Sequence, residues 1–150
     1  MDADPYMARA LDEARKAAKR GEVPVGAVVV LAEENRIIAA EGNRVEELSD
    51  PTAHAEMLVL RNASKVMTAS RLTDCDLYVT LEPCSMCATA VSLARIRRLY
   101  YGAPDPKGGG VYHGPQIFAQ PTCHHRPEVY GGIGETEASG LLKVFFQSKR

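Results

Sequence analysis

Two short motifs constrain this chain most, because they place metal-ligand side chains far apart in the sequence. The first is the H-x-E motif His54-Ala55-Glu56, and the second is the P-C-x-x-C motif Pro83-Cys84-Ser85-Met86-Cys87. One imidazole and two thiolates supply three ligands for a zinc ion, which leaves the fourth tetrahedral position open for water. The fold must bring two distant segments to one point, and the resulting site is suited to catalysis rather than to structural support.

Hydrophobic periodicity predicts helices that alternate with strands after an initial hairpin. This order implies a mixed sheet with parallel members, covered on both faces, so we predict one α/β domain over 1–150 with three α/β/α layers. The predicted elements are a helix over 5–20 with Gly21 as its C-cap, strands over 25–32 and 36–40, a helix from Asp50-Pro51 towards Met67, a strand over 76–81, a helix opened by Glu82-Pro83, a strand over 97–101 and a helix over 135–149.

Capping residues and apolar spacing place some of these elements in more detail. Asp50 is predicted as an N-cap and Pro51 as the first helical residue, with His54 just inside that helix. Cys84 and Cys87 would share a face in the first turns of their helix, where the macrodipole stabilises thiolates. The buried stripe of the closing helix is predicted to contain Leu141, Leu142, Phe145 and Phe146.

Glu56 is the candidate general base. Two thiolates neutralise the charge of a zinc ion, so a water at this site needs a neighbouring base to lose its proton. Glu56 is two residues from His54 and could take that proton, deliver it to a ring nitrogen and protonate a leaving ammonia. We therefore interpret the two motifs together as a site for hydrolytic deamination.

Other polar residues leave alternatives open. The amide of Asn43 could read a purine edge by donating and accepting at once, but a turn role beside Gly42 is equally consistent with the sequence. Cys75 and Cys123 are interpreted as small packed residues. His124 and its neighbour His125 have no partners at ligand spacing, so a second metal site is not expected.

Composition limits the classes of protein to consider. An apolar content of 45% in 150 residues supports one core, and no apolar run has the length of a membrane span. The polar first twenty residues do not form a signal peptide, and the metal-ligand cysteines indicate a reducing compartment, so a cytoplasmic protein without a membrane partner is expected. The net charge is −1, but residues 1–83 carry −5 and residues 84–150 carry +4, which is compatible with local phosphate binding.

The chain resembles the bacterial tRNA adenosine deaminases over roughly residues 6–148. The zinc motifs alone mark the wider deaminase superfamily, and the flanking strings narrow the resemblance to this branch. Those strings are Val23–Val28, Gly42–Arg44, Asp50–Glu56, Leu77–Cys87, Arg95–Ala103, Asp105 with Lys107-Gly108, and Phe145-Phe146.

The resemblance implies a cytidine deaminase-like fold with a five-stranded sheet, a homodimer, one zinc per subunit and conversion of adenosine to inosine in a tRNA anticodon stem-loop. It also implies a role for each matching residue. His54, Cys84 and Cys87 would hold zinc, with Glu56 as the proton shuttle. The proposed substrate contacts are Asn43 at the flipped-out base, Val25 and the backbone near Ala55 in its pocket, Asp105 and Lys107 at flanking nucleotides, and Phe145 and Phe146 in the RNA-binding wall.

Two other functions remain open on the sequence. A deaminase of free guanine or another small base or nucleoside would use the same zinc chemistry without a basic surface. A non-catalytic, zinc-stabilised RNA-binding module would keep the metal site, but it would have no use for Glu56 or for an incomplete ligand set.

Overall fold

Within residues 4–149, which the computed structural model describes, five strands form one mixed sheet and five helices pack around it. The strands are β1 (Gly26–Leu31), β2 (Arg36–Gly42), β3 (Cys75–Leu81), β4 (Arg98–Ala103) and β5 (Glu128–Tyr130). The helices are α1 (Pro5–Lys19), α2 (Val45–Leu48), α3 (Ala55–Met67), α4 (Ser85–Ala94) and α5 (Glu135–Ser148).

The strand order β2-β1-β3-β4-β5 determines where the connecting segments meet. β1 runs antiparallel to β2 and to β3, whereas β3, β4 and β5 run parallel to one another. Because β2 and β3 are both antiparallel to β1, they point in the same direction and end at the same edge of the sheet. The chain therefore leaves β2, β3 and β4 at one edge, and it enters β1 at that edge as well.

Helices cover both faces of the sheet, which confirms the predicted three-layer α/β/α architecture and its mixed five-stranded sheet. The alternating side chains of β1 divide between two apolar clusters. Val28 and Val30 pack with Met7 and Leu11 of α1, and Ala27 and Val29 pack with residues of α3 and α4. Among the described residues, no helix has both the length and the apolar character needed to cross a membrane.

The predicted start of α3 at Asp50-Pro51 is wrong. The carboxylate of Asp50 instead accepts hydrogen bonds from the backbone N–H of Thr52 at 2.8 Å and from its hydroxyl at 2.7 Å. These bonds form a local turn of the kind that aspartate makes in competition with helix. The helix begins only at Ala55, with His54 as its N-cap.

The apolar stripe predicted for the closing helix is also wrong in part. In α5 the one buried residue is Ala138, whereas Phe146 is 50% exposed and Leu141 and Phe145 are half-buried. β5 and α2 were not predicted, because three and four residues are too few to show a period.

Close packing of α1 on β1 predicts a strong effect of one methyl group. A Cβ at Gly26 would overlap the carbonyl oxygen of Ala10 and lie 2.6 Å from the amide nitrogen of Ala14. We expect Gly26→Ala to lower the free energy of unfolding in urea by about 3 kcal/mol. Gly140 of α5 has no neighbour within 4 Å, so Gly140→Ala should raise it by about 0.5–1 kcal/mol. Equal losses in both variants would contradict this packing argument.

Candidate metal and active site

The three predicted zinc ligands come together at the N-termini of two helices. His54 is the N-cap of α3 and Cys84 is the N-cap of α4, and both have extended backbone angles. Neither side chain makes a capping hydrogen bond, so both side chains remain available to a metal ion. Cys87 lies in the first turn of α4 and is buried.

The helix start predicted at Glu82-Pro83 is two residues too early, because α4 begins at Ser85. Cys84 therefore precedes the helix instead of lying within it, while Cys87 is in its first turn. The side chain of Glu82 does not cap α4, and it contacts the segment that follows β4.

The distances among the ligand atoms fit a zinc ion. His54 Nδ1 lies 3.6 Å from Cys84 Sγ and 3.5 Å from Cys87 Sγ. Zinc–nitrogen and zinc–sulfur bonds of about 2.0 and 2.3 Å place these atoms roughly 3.6 Å apart in a tetrahedral site. Among residues 4–149, these three residues are the one group of three or more His, Cys, Asp or Glu side chains whose ligand atoms all lie within 4.8 Å of one another. The chain thus supplies a three-ligand zinc site through His54 Nδ1 and two thiolates.

The two cysteine thiols differ in acidity when no metal holds them. A hydrogen bond from Cys87 and the interaction with His54 together lower the pKa of Cys84 to about 4, although burial acts in the opposite direction. The same bond to Cys84 raises the pKa of Cys87, and burial adds to that effect. The interaction with Cys84 also raises the pKa of His54. The metal-free site therefore holds protons that zinc must displace.

Glu56, the predicted general base, lies in the first turn of α3 and is 4% exposed. Burial raises its pKa from 4.5 to about 7, and the negative charge of Cys84 acts in the same direction. A carboxyl group with a pKa near 7 can both accept and donate a proton at neutral pH.

A cavity of about 710 Å³ opens beside His54, Cys84 and Glu56. It lies at the edge of the sheet where β2, β3 and β4 end, and the segments before β1 and at the end of α5 complete its walls. This volume is in the range of small-molecule sites and accommodates a nucleobase with its sugar. The lining residues are Gly21, Glu22, Val23, Val25, Asn43, Val45, Glu46, His54, Glu56, Leu81, Glu82, Cys84, Asp105, Gly108, Phe145 and Lys149.

Only part of the predicted substrate-contact set lines this cavity. Val25, Asn43, Asp105 and Phe145 are among the lining residues, whereas Ala55, Lys107 and Phe146 are not. The backbone N–H of Ala55 is already bound to Asn43, and Lys107 is exposed outside the rim. Phe146 packs edge-on against Phe145 at 5.4 Å between ring centroids and projects to the surface.

One hydrogen bond holds the amide of Asn43 in place and leaves its NH2 group available. Its Oδ1 accepts the backbone N–H of Ala55 at 2.7 Å, and its own backbone N–H donates to the carbonyl of Val25. The carbonyl oxygen has a second lone pair, so the prediction that this amide accepts from and donates to a purine at once stays a prediction. Asn43 Nδ2 remains as a donor group at the cavity wall.

Two buried carboxylates at the cavity carry no sequence signal of their own. Glu22 accepts the backbone N–H groups of Glu46 at 3.1 Å and Glu47 at 2.8 Å, which holds α2 at one side. Glu82 accepts several N–H groups from the segment after β4 on the other side. Burial opposes ionisation of Glu82, but the N–H of Asp105 and the other donors lower its pKa. These partners are distant in sequence, so no local motif predicts them.

The side chains around Cys123 form hydrogen bonds with neighbouring backbone. The Cys123 thiol donates to the carbonyl oxygen of His125 at 3.2 Å, and His125 Nε2 lies 2.6 Å from the carbonyl oxygen of Ile96. Cys75 is fully buried in the core, as predicted, whereas Cys123 is only half-buried.

Comparison with known proteins identifies relatives over nearly the whole chain. The family described as the cytidine and deoxycytidylate deaminase zinc-binding region matches residues 1–103. A protein from Agrobacterium fabrum, named tRNA-specific adenosine deaminase, is 58% identical over 145 residues and covers 97% of this chain and 94% of its own length.

Two solved structures place the fold among purine deaminases. One, from a study of A-to-I editing by tRNA:A34 deaminases at the wobble position of transfer RNA, is 58% identical with a TM-score of 0.89 and covers 91% of this chain and 98% of its own. A guanine deaminase from Bacillus subtilis is 40% identical with a TM-score of 0.65, covering 69% of this chain and 66% of its own.

Because the metal-free site holds protons that zinc must displace, we expect the affinity for zinc to depend on pH. Binding requires neutral His54 and the thiolate of Cys87, whose pKa values are both raised, so affinity should fall as pH falls. We expect a decrease of roughly tenfold per pH unit for each proton released, measured by competition with a chelator between pH 8 and pH 6. Cys87→Ser should abolish stoichiometric zinc, while Cys123→Ser should retain it. A pH-independent affinity would contradict the proton count.

The raised pKa of Glu56 predicts that this residue destabilises the metal-free protein above neutral pH. Between pH 4.5 and about 7 the unfolded chain loses its proton while the folded chain keeps it, so stability falls across this window. The cost is fully present above pH 7, at about 3 kcal/mol. Metal-free Glu56→Gln should therefore be more stable than the parent protein in urea at pH 8, and the difference should shrink at pH 5. Equal differences at both pH values would contradict the shift.

Proposed function

The chain belongs to the tRNA-specific adenosine deaminases of the zinc-binding cytidine and deoxycytidylate deaminase family, and we propose that it deaminates adenosine to inosine at the wobble position of tRNA. One structural observation carries the proposal. Two of the three zinc ligands, His54 and Cys84, line one cavity together with the buried carboxyl group of Glu56, so a metal ion, a water and a nucleobase can meet there. A site of structural zinc would be closed by a fourth protein ligand.

The reaction replaces the amino group on C6 of adenine by oxygen, and water supplies that oxygen while ammonia leaves. Zinc, when bound, supplies the Lewis acidity that makes water a nucleophile at neutral pH. Glu56 receives the proton of the attacking water on its carboxylate and passes it to the ring nitrogen. It then carries the second proton to the departing amine. Burial, which raises the pKa of Glu56 in the metal-free protein, favours the protonated form that delivers each proton.

The cavity walls suit an unpaired nucleobase. Val25 and Phe145 supply apolar surface for the ring, and Asn43 Nδ2 supplies a donor. The backbone N–H of Ala55 orients the Asn43 amide instead of contacting the base directly. An anticodon loop presents its base already unpaired, which lowers the cost of moving it into such a pocket.

The remaining predicted contacts are assigned to the RNA outside the pocket. Asp105 lies at the rim and the exposed Lys107 follows it, and this position supports assigning both to nucleotides that flank the target. Lys149 Nζ lies 5.3 Å from the ring centroid of Phe145, which adds positive charge at the end of α5. The exposed ring of Phe146 is available for stacking with RNA.

We also propose a cytoplasmic homodimer with one zinc per subunit in a single deaminase domain. The surface between α3 and α4 supports this proposal, since Leu93 is exposed there beside the cations of Arg61 and Lys65. Two subunits would enlarge the positive surface available to one tRNA, which offsets the net charge of −1.

The test is inosine and ammonia release from an anticodon stem-loop with adenosine at the wobble position. Free guanine serves as the second substrate, because a guanine deaminase shares the fold. We expect the stem-loop to be deaminated and guanine to remain unchanged. Glu56→Ala should lower the rate at least roughly a hundredfold while zinc content is unchanged, because it removes the proton carrier. The exposed Glu33 provides a matched control, and Glu33→Ala should keep full activity.

Each alternative function has its own outcome in this test. Turnover of guanine without turnover of the stem-loop would replace tRNA editing by small-base deamination. Binding of the stem-loop without any release of ammonia, in protein that contains stoichiometric zinc, would support a non-catalytic RNA-binding module.

A further inference from the structure

Glu82 is a buried carboxylate whose two oxygens are both occupied. Oε1 accepts the backbone N–H of Asp105 at 3.0 Å and lies 2.7 Å from Nδ1 of His113. Oε2 accepts the backbone N–H groups of Val111, Tyr112 and His113 at 3.2, 3.0 and 3.1 Å. Glu82 itself is 2% exposed. A carboxylate offers about four acceptor positions, so this one has no capacity left for a substrate.

The partners of Glu82 all belong to the segment 105–113, which we call the rim loop. Its backbone lies directly on Glu82 and on the start of α4. The N–H of Gly110 donates to the carbonyl of Pro83 at 2.8 Å, and a Cβ at Gly110 would lie 2.6 Å from the nitrogen of Ser85. A Cβ at Gly109 would overlap the Glu82 carboxylate. The rim loop is therefore seated against the same helix terminus that carries Cys84.

The hydrogen bond from the backbone N–H of Asp105 to Glu82 also holds Asp105 at the cavity. The side-chain Oδ1 of Asp105 in turn accepts hydrogen bonds from the backbone N–H groups of Lys107 at 3.2 Å and Gly108 at 2.9 Å. Asp105 and Gly108 both line the cavity. The shape of the rim thus derives from one carboxylate that belongs to the metal-bearing segment.

His113 is the part of this arrangement that solvent can reach. Its side chain is 37% exposed, whereas the Glu82 side chain is fully buried. Four of the five contacts to Glu82 come from backbone N–H groups, which a side-chain substitution leaves in place. The imidazole supplies the fifth contact and the shortest of the set.

We propose that Glu82 and His113 are positioning residues that hold the rim loop against the start of α4, and so determine how the enzyme binds the nucleotides flanking its target base. The proposal rests on the proposed function, because it assigns the rim to recognition of RNA. Neither residue is assigned to the chemistry at the metal. Losing the imidazole contact should loosen the rim and weaken RNA binding, while the zinc ligands and Glu56 keep their geometry.

The experiment compares His113→Ala, His113→Asn and the parent zinc enzyme on the anticodon stem-loop. His113→Ala should raise KM about tenfold, the scale of a lost hydrogen bond to a charged group, with kcat changed less than about threefold. His113→Asn should restore most of the loss, because an amide N–H can reach Glu82 in place of Nδ1. His124→Ala is the matched control at an exposed histidine, and its KM should equal that of the parent.

Two further readouts separate a positioning role from a structural one. Zinc content should stay at one per subunit in all His113 variants. Amide hydrogen exchange should accelerate at residues 105 and 111–113 in His113→Ala, and return towards the parent rate in His113→Asn. Glu82→Gln should accelerate exchange across the same amides more strongly, because an NH2 group would then face N–H donors.

The proposal would be overturned if KM of His113→Ala were unchanged, whether or not kcat falls, or if that variant lost its zinc. Unchanged exchange in the rim loop would also overturn it. If the parent enzyme failed to deaminate the stem-loop at all, the proposed function would be wrong. Hydrogen exchange would still decide whether Glu82 and His113 hold the rim, so the two failures are distinguishable.

Discussion

The site depends on two helices that begin at the same edge of one sheet. β2 and β3 both run antiparallel to the strand between them, so the segments that follow them, His54 with α3 and Cys84 with α4, start on the same side. An N-cap residue has an extended backbone and precedes the helical turns. Its side chain can therefore bind a metal ion together with side chains from another helix. Strand direction thus brings together an imidazole and two thiols that are remote in the sequence.

Three buried glutamates around the cavity show two ways in which a protein accommodates a carboxylate. Glu22 and Glu82 are surrounded by backbone N–H donors, which compensate for the loss of water and hold neighbouring segments in place. Glu56 has a pKa raised to about 7 by burial, so it is destabilising as an anion. The same burial lets this carboxyl group hold a proton near neutral pH, which is the property that the proposed proton shuttle requires.

Much of the fold could be predicted because apolar periodicity and capping residues act locally. The buried strands β1 and β3, the helix α1 with Gly21 at positive φ after it, and the alternation of helices with strands all follow from such signals. The predictions failed where local signals compete. Asp50 satisfies its own carboxylate within a turn, and Pro83 precedes α4 without starting it, so both helices begin later than their prolines indicate. Phe146 follows the helical apolar pattern of α5 but points away from the core.

The sequence by itself determined the chemistry, because a motif with one histidine, two cysteines and one glutamate has few uses and its ligand count leaves a position open for water. Only the tertiary structure decided how that chemistry is supported. The backbone N–H of Ala55 donates to Asn43 Oδ1 and holds that amide at the cavity, and Glu82 joins the metal-bearing segment to the rim loop. Hydrogen bonds between residues so far apart depend on strand order and on which face each segment covers. No local pattern of side chains encodes either of these, so such contacts exist only once the sheet is assembled.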